Sequence, residues 1–132
     1  MAKAARGLVR LDLRFDVVLT SPAVRTAQTA EIVAAAFKRR PEVLVVESLG
    51  PEGTESEVLS DLEAHVTRSR VALVGHEPSL GELAAHLAGS RHPFSFKKGA
   101  VCRIDVVSIP PRHPGTLRWF LTPAMLRAVG KK

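Results

Sequence analysis

Two short apolar runs, each broken by a polar turn and then by a helical pattern, constrain this chain more than any other feature. The first is Phe15-Asp-Val-Val-Leu-Thr20, followed by Ser21-Pro22; the second is Val71-Ala-Leu-Val74, followed by Gly75-His76-Glu77-Pro78. An unalternating apolar run of this length suits a strand covered on both faces, as parallel strands are. Ser before Pro reads as a helix start, because the hydroxyl can accept from free N–H groups and Pro is tolerated at the first helical position. Repeated strand, turn and helix is the pattern of βα units. The expected fold is therefore α/β, a three-layer α/β/α sandwich with a mainly parallel sheet, in which both strands end at one common edge.

The rest of the punctuation fits that frame. Helices are expected at Ala4 to Leu11, Pro22 to Arg39 with Ile32, Val33 and Phe37 facing inward, Thr54 to His65, and Ser79 to Leu87 closed by Gly89. A last short helix starts at Thr122-Pro123. A further strand is expected at Val43 to Val46. The strands Val101 to Val107 and Leu117 to Leu121 read as a hairpin around the Pro/Gly-rich turn that contains Pro110, Pro111, Pro114 and Gly115. At 132 residues, with 45% hydrophobic and 24% charged content, the chain reads as a single domain, residues 1–132, large enough for one core.

Composition narrows the function. The single Cys102 allows no internal disulfide and no multi-Cys zinc site, and it is the usage of a reducing, cytoplasmic compartment. No apolar run approaches the roughly 18 to 20 residues that span a bilayer, so no membrane partner is expected. A net charge of +6 invites a nucleic-acid reading, but the basic residues are scattered from Arg6 to Lys132 without a recognition motif, so no nucleic-acid partner is expected either. Attraction of an anionic, phosphorylated substrate accounts for the charge as well. The His, Asp and Glu residues show no metal-ligand spacing, so no metal or cofactor is expected.

Chemistry concentrates at the two strand ends. Ligands of open α/β sheets bind outside the carboxyl ends of strands, and free helix N–H groups there attract anions. Arg25, one turn into its helix, can reach back over the strand end to hold a phosphoryl group bidentately; His76 stands at the same edge. Each has a plainer reading alone, Arg25 as a solvated helix residue and His76 as a structural one. As an ordered pair, Ser21-Pro-Ala-Val-Arg-Thr-Ala-Gln-Thr-Ala-Glu31 and Leu73-Val-Gly-His-Glu-Pro-Ser79 are far more specific than either half.

These two segments resemble the histidine phosphatase superfamily, with its phosphoglycerate mutase-like fold, and in particular its small SixA-like phosphohistidine phosphatases. In these a strand ends in LTSPAxRTxQTAE and a later one in VGHEPSL. Lys97-Lys-Gly-Ala100 and Leu117-Arg-Trp-Phe-Leu-Thr-Pro123 are similar to the same subgroup, so the resemblance runs from about Ala4 to Leu126. It implies a phosphatase that hydrolyses phosphohistidine in proteins, or a small phosphate ester, through a covalent phosphohistidine. Arg25 would be the phosphoryl clamp and His76 the second histidine, with Ser21 and the backbone at Gly75 as further phosphate donors.

The resemblance also implies an attacking histidine in an Arg-His-Gly motif at the end of a first strand, and this sequence contains no such motif. The chain opens in what reads as the tail of the following helix, so roughly 30 residues, the size of a βα unit, are expected upstream of Met1. Arg91-His92 and Arg112-His113 both precede Pro in loop segments and are read as solvated. Glu77, Glu47 and Glu52 are placed where a proton donor could sit, but none is assigned. His65 and His86, on expected helices, are read as surface or partly buried residues, and Cys102 as a small buried hydrophobe. The expectation is thus an enzyme by resemblance whose isolated chain is inactive, incomplete at the first strand, with low stability, dimerisation through the open sheet or a rearranged sheet. The alternative is a catalytically inactive phosphate-binding or interaction module of the same fold.

Overall fold

The computed structural model describes residues 1–11, 13–65 and 67–131; Lys132, the last of the scattered basic residues, lies outside them. The elements run α1 (Ala2–Arg10), β1 (Val17–Thr20), α2 (Val24–Ala36), β2 (Glu42–Val45), α3 (Glu55–Glu63), β3 (Val71–Val74), α4 (Ser79–Ala88), β4 (Val101–Asp105), β5 (Thr116–Leu121) and α5 (Pro123–Gly130). A 3-10 turn, Glu47–Leu49, lies between β2 and α3.

The first expected strand is the centre of a three-stranded sheet ordered β2-β1-β3. Both pairings are parallel, with Thr20 opposite Val45 on one side and Val74 on the other. Every residue of β1 is buried, which is why that run carries no polar alternation. β3 is only half-buried along its length and, among the described residues, is paired on one side alone. β4 and β5 form a separate antiparallel pair with a register shift between Arg103 and Ile104.

Two apolar clusters lie around the sheet. Val17 and Leu19 of β1 pack with Leu49, with Val58, Leu59 and Leu62 of α3, and with Leu83 of α4. Ala4, Ala5 and Leu8 of α1 pack with Val33 and Phe37 of the α2 region and Leu126 of α5. Since strand side chains alternate between faces, Val17 and Leu19 share one face, and Val18, also fully buried, points to the other. The architecture is the expected mixed α/β sandwich.

Several boundaries differ from expectation for local reasons. α2 begins at Val24, not Pro22, and ends at Ala36, not Arg39. At its end Phe37 turns to extended backbone and packs edge-on against Phe15, with ring centroids 5.4 Å apart. Ile32, expected inside, is 40% exposed, because the buried stripe of α2 is Thr26, Ala30, Val33 and Ala34 and Ile32 lies off it. The strand expected to reach Val107 stops at Asp105, and Val107 is fully exposed. α3 is closed by a reciprocal cap between Thr54 and Glu57, and α4 ends on Gly89 at φ 73°, a left-handed position that glycine takes without a Cβ penalty.

Candidate active site

The parallel register of β1 and β3 brings the two signature turns side by side. Ser21 N–H donates to the Val74 carbonyl at 3.0 Å, so the ladder runs one residue beyond the strands and places Ser21 next to the start of the Gly75-His76 turn. Ser21 is fully buried. Its Oγ lies 2.8 Å from His76 Nε2 and accepts from Ala23 N–H at 3.1 Å. The hydroxyl either donates to an unprotonated Nε2 or accepts from a protonated one; in both cases the ring is held by that nitrogen. His76 Nδ1 has no hydrogen-bond partner among the described residues.

The turn that carries Ser21 is itself braced. The Ser21 carbonyl accepts from Thr20 Oγ1 at 3.0 Å and from Thr26 Oγ1 at 3.1 Å, and Thr26 Oγ1 also reaches the Ala23 carbonyl at 2.9 Å. Hydroxyls that bond to nearby carbonyls in this way fix a turn without using its N–H groups. The sequence reading did not single out Thr20 or Thr26. Their signal was the placing of hydroxyls on both sides of Ser21-Pro22.

Arg25 occupies the first turn of α2, directly after this turn. Its side chain is exposed and holds no ion pair among the described residues, whereas Arg40, Arg68, Arg103 and Arg118 each face a carboxylate. The first N–H groups of a helix have no intrahelical acceptor, so the start of α2 offers Arg25 and such N–H groups directly after the turn whose Ser21 holds His76. Gly75 follows β3 directly and is half-buried.

Glu77 was considered as a proton donor, and here its carboxylate is otherwise engaged. One oxygen accepts from Gly81 N–H at 2.6 Å and the other from Phe96 N–H at 3.3 Å. It thereby closes the start of α4 and ties down the loop that leads to β4. Gly81 leaves room for this: a Cβ there would run into the Phe94 carbonyl and stand 3.0 Å from both Glu77 oxygens.

The other titratable groups lie elsewhere. His92 and His113 are exposed on the connections before and after β4, and His65 follows α3. His86 is on the surface of α4, with Nδ1 2.8 Å from Glu55 Oε2. Cys102 is half-buried in β4, where burial pushes its thiol up to about 11. The hydrogen bonds from Arg103 and Arg118 hold the Asp105 carboxyl below the usual range. Among the described residues no group of three or more His, Cys, Asp or Glu side chains is placed to hold a metal ion, and no helix is long and apolar enough to cross a membrane.

No family model matches the chain. An uncharacterised protein of Picosynechococcus sp. (strain PCC 7002) is 39% identical over 101 residues, 74% of this chain and 61% of the relative. A phosphohistidine phosphatase SixA homologue of Haemophilus influenzae is 32% identical over 93 residues, 67% of this chain and 57% of the relative. The chain thus spans less than two thirds of the length of either. The solved structure of a protein histidine phosphatase SixA complexed with tungstate superimposes with a TM-score of 0.80 at 25% identity, covering 93% of this chain and 79% of that one.

Proposed function

With membership of the histidine phosphatase superfamily as the premise, since this chain belongs to it, we propose that Arg25, His76 and the Gly75 backbone form the phosphoryl-holding part of a phosphatase site, while Ser21, expected as a phosphate donor, is fully buried and instead positions His76. The substrate is phosphohistidine in a protein or a small phosphate ester. The observation that carries this reading is the 2.8 Å contact between Ser21 Oγ and His76 Nε2, which joins two parallel strand ends just before the helix that carries Arg25. Tungstate in the SixA relative is an oxyanion of phosphate-like shape, and it supports an oxyanion site in this fold.

In this mechanism the phosphoryl group passes from the substrate nitrogen or oxygen to an attacking imidazole, and water then cleaves the phosphohistidine to give inorganic phosphate. Such transfers need in-line positioning and positive charge on the equatorial oxygens more than acid or base. Arg25 supplies that charge, and His76, held through Nε2 by Ser21, turns its other nitrogen toward the same oxygens. Of the five histidines, His76 alone stands at this edge, and the attacking imidazole is assigned to an Arg-His-Gly segment that this sequence does not contain. The chain by itself then binds oxyanions without turning over substrate. The alternative, a phosphate-binding module of the same fold, predicts the same binding but no gain from such a segment.

The test is release of phosphate from an aryl phosphate and from phosphorylated histidine, by the chain alone and by the chain joined to an upstream strand ending in Arg-His-Gly. Turnover is expected only in the second. Arg25→Ala in that form should lower it about a hundredfold or more, as when a preorganised donor to transition-state charge is removed. Equal turnover by the chain alone, lost on changing His92 or His113, would overturn the assignment; absence of turnover in both would favour the binding module.

A further inference from the structure

A cleft of about 340 Å³ opens from His76 between the N-terminal ends of α3 and α4. Its floor is apolar, with Leu49 and Leu83 both buried. Its walls carry Glu55 from α3 and Ser79 and Glu82 from α4. Among the described residues, no lysine or arginine lines it, although the chain has 19 basic against 13 acidic residues. The cleft wall thus carries two carboxylates, while Arg25 stands on the first turn of α2 after the neighbouring strand end.

The two carboxylates are held differently. Glu55 is tethered to His86 at 2.8 Å, which keeps it on the cleft wall. Glu82 has no side-chain hydrogen bond or ion pair among the described residues, and it stands one turn beyond Ser79 at the mouth of α4. A carboxylate left unpaired beside an apolar floor and next to a cationic site is matched by a ligand with an anionic end, a short apolar stem and a cationic end. A ligand with a second anionic group would meet like charge there.

We propose that this cleft seats the group that carries the phosphoryl, and that Glu82, seconded by Glu55, is a specificity-determining residue selecting a cationic neighbour to the phosphoryl group. The proposal rests on the phosphatase reading above and narrows it. The favoured substrate is a phosphorylated polypeptide with a lysine or arginine close to the modified residue, while bisphosphates and phosphorylated carboxylic acids are disfavoured. Arg25 and His76 hold the phosphoryl oxygens, Leu49 and Leu83 receive the stem, and Glu82 faces the cation.

The experiment measures binding of three probes to the full chain at low salt: inorganic phosphate, phosphoethanolamine and phosphoglycolate. The last two differ chiefly in carrying an ammonium or a carboxylate beside a single phosphoryl group. Phosphoethanolamine should bind about tenfold more tightly than phosphoglycolate, the effect of two partly screened carboxylates acting in opposite senses on the two probes. That preference should shrink as salt is raised. Glu82→Gln should reduce it roughly two- to threefold and Glu82→Lys should nearly abolish it, with Glu55→Gln as a second variant acting in the same sense as Glu82→Gln. Phosphate binding with equal affinity for the two organic probes, unchanged in these variants, would overturn the cleft assignment and leave the phosphate site standing. Failure of all three probes to bind would overturn the phosphate site and the cleft assignment together.

Discussion

Ser21→Ala is the substitution that most directly probes how the two strand ends are joined. The buried hydroxyl accepts from Ala23 N–H and bonds His76 Nε2, so its removal leaves the first free N–H before α2 without a partner and releases the imidazole. The bond from Ala23 N–H, in the turn before the helix, is worth a net ~0.5–1.5 kcal/mol. The bond to His76 is worth as much, so the sum is about 2 kcal/mol. For a chain of this size that corresponds to a fall in Tm of roughly 6–10 °C. The turn itself should survive, because the Ser21 carbonyl keeps its bonds from Thr20 and Thr26. Urea unfolding of the two proteins should show a lower midpoint with the same m-value. A loss below about 0.5 kcal/mol, under the smallest single contribution counted here, would refute the claim that Ser21 joins the two turns.

Leu126, fully buried between α1 and α2, should cost about 2–5 kcal/mol on truncation to Ala, read by the same unfolding assay. Cys102, with its thiol pushed up to about 11 by burial, should react with iodoacetamide at pH 8.5 about a hundredfold more slowly in the native chain than in the unfolded one, since only the thiolate attacks. The same shift sets a sign: the unfolded thiol ionises first, so stability present below the ordinary thiol range falls as pH rises from there toward 11. The edge of β3 that is unpaired among the described residues is a template for strand pairing, and sedimentation at rising concentration should show a dimer; a monomer throughout would contradict that use of the edge.

The parts of this fold that were legible are those in which local chemistry and tertiary position agree. β1 reads as buried because Val17, Val18 and Leu19 leave no polar face, and β3 reads as a strand because Val71 to Val74 is a continuous apolar run ended by the Gly75-His76 turn. Gly89 and Thr122-Pro123 mark helix ends by their own backbone preferences. What was not legible depends on distant partners. The departure of Phe37 from α2 follows from Phe15, and the early end of β4 goes with the Arg103 and Arg118 bonds to Asp105. At the site, Arg25 and His76 were singled out from their places after strands. The bracing threonines and the engagement of Glu77 by Gly81 and Phe96 appear only once the turns are folded against each other.

The central claim is that Arg25 and His76 act together on one oxyanion at the ends of β1 and β3. The most direct measurement is titration of the chain with tungstate or phosphate, following the His76 ring resonances by NMR, in the unsubstituted protein and in Arg25→Ala. Saturable shifts are expected at His76, far smaller shifts at His65, His92 and His113, and an affinity at least tenfold weaker without Arg25, the loss of one charge-assisted bidentate contact. Equal shifts at all five histidines, or an affinity indifferent to Arg25, would contradict it.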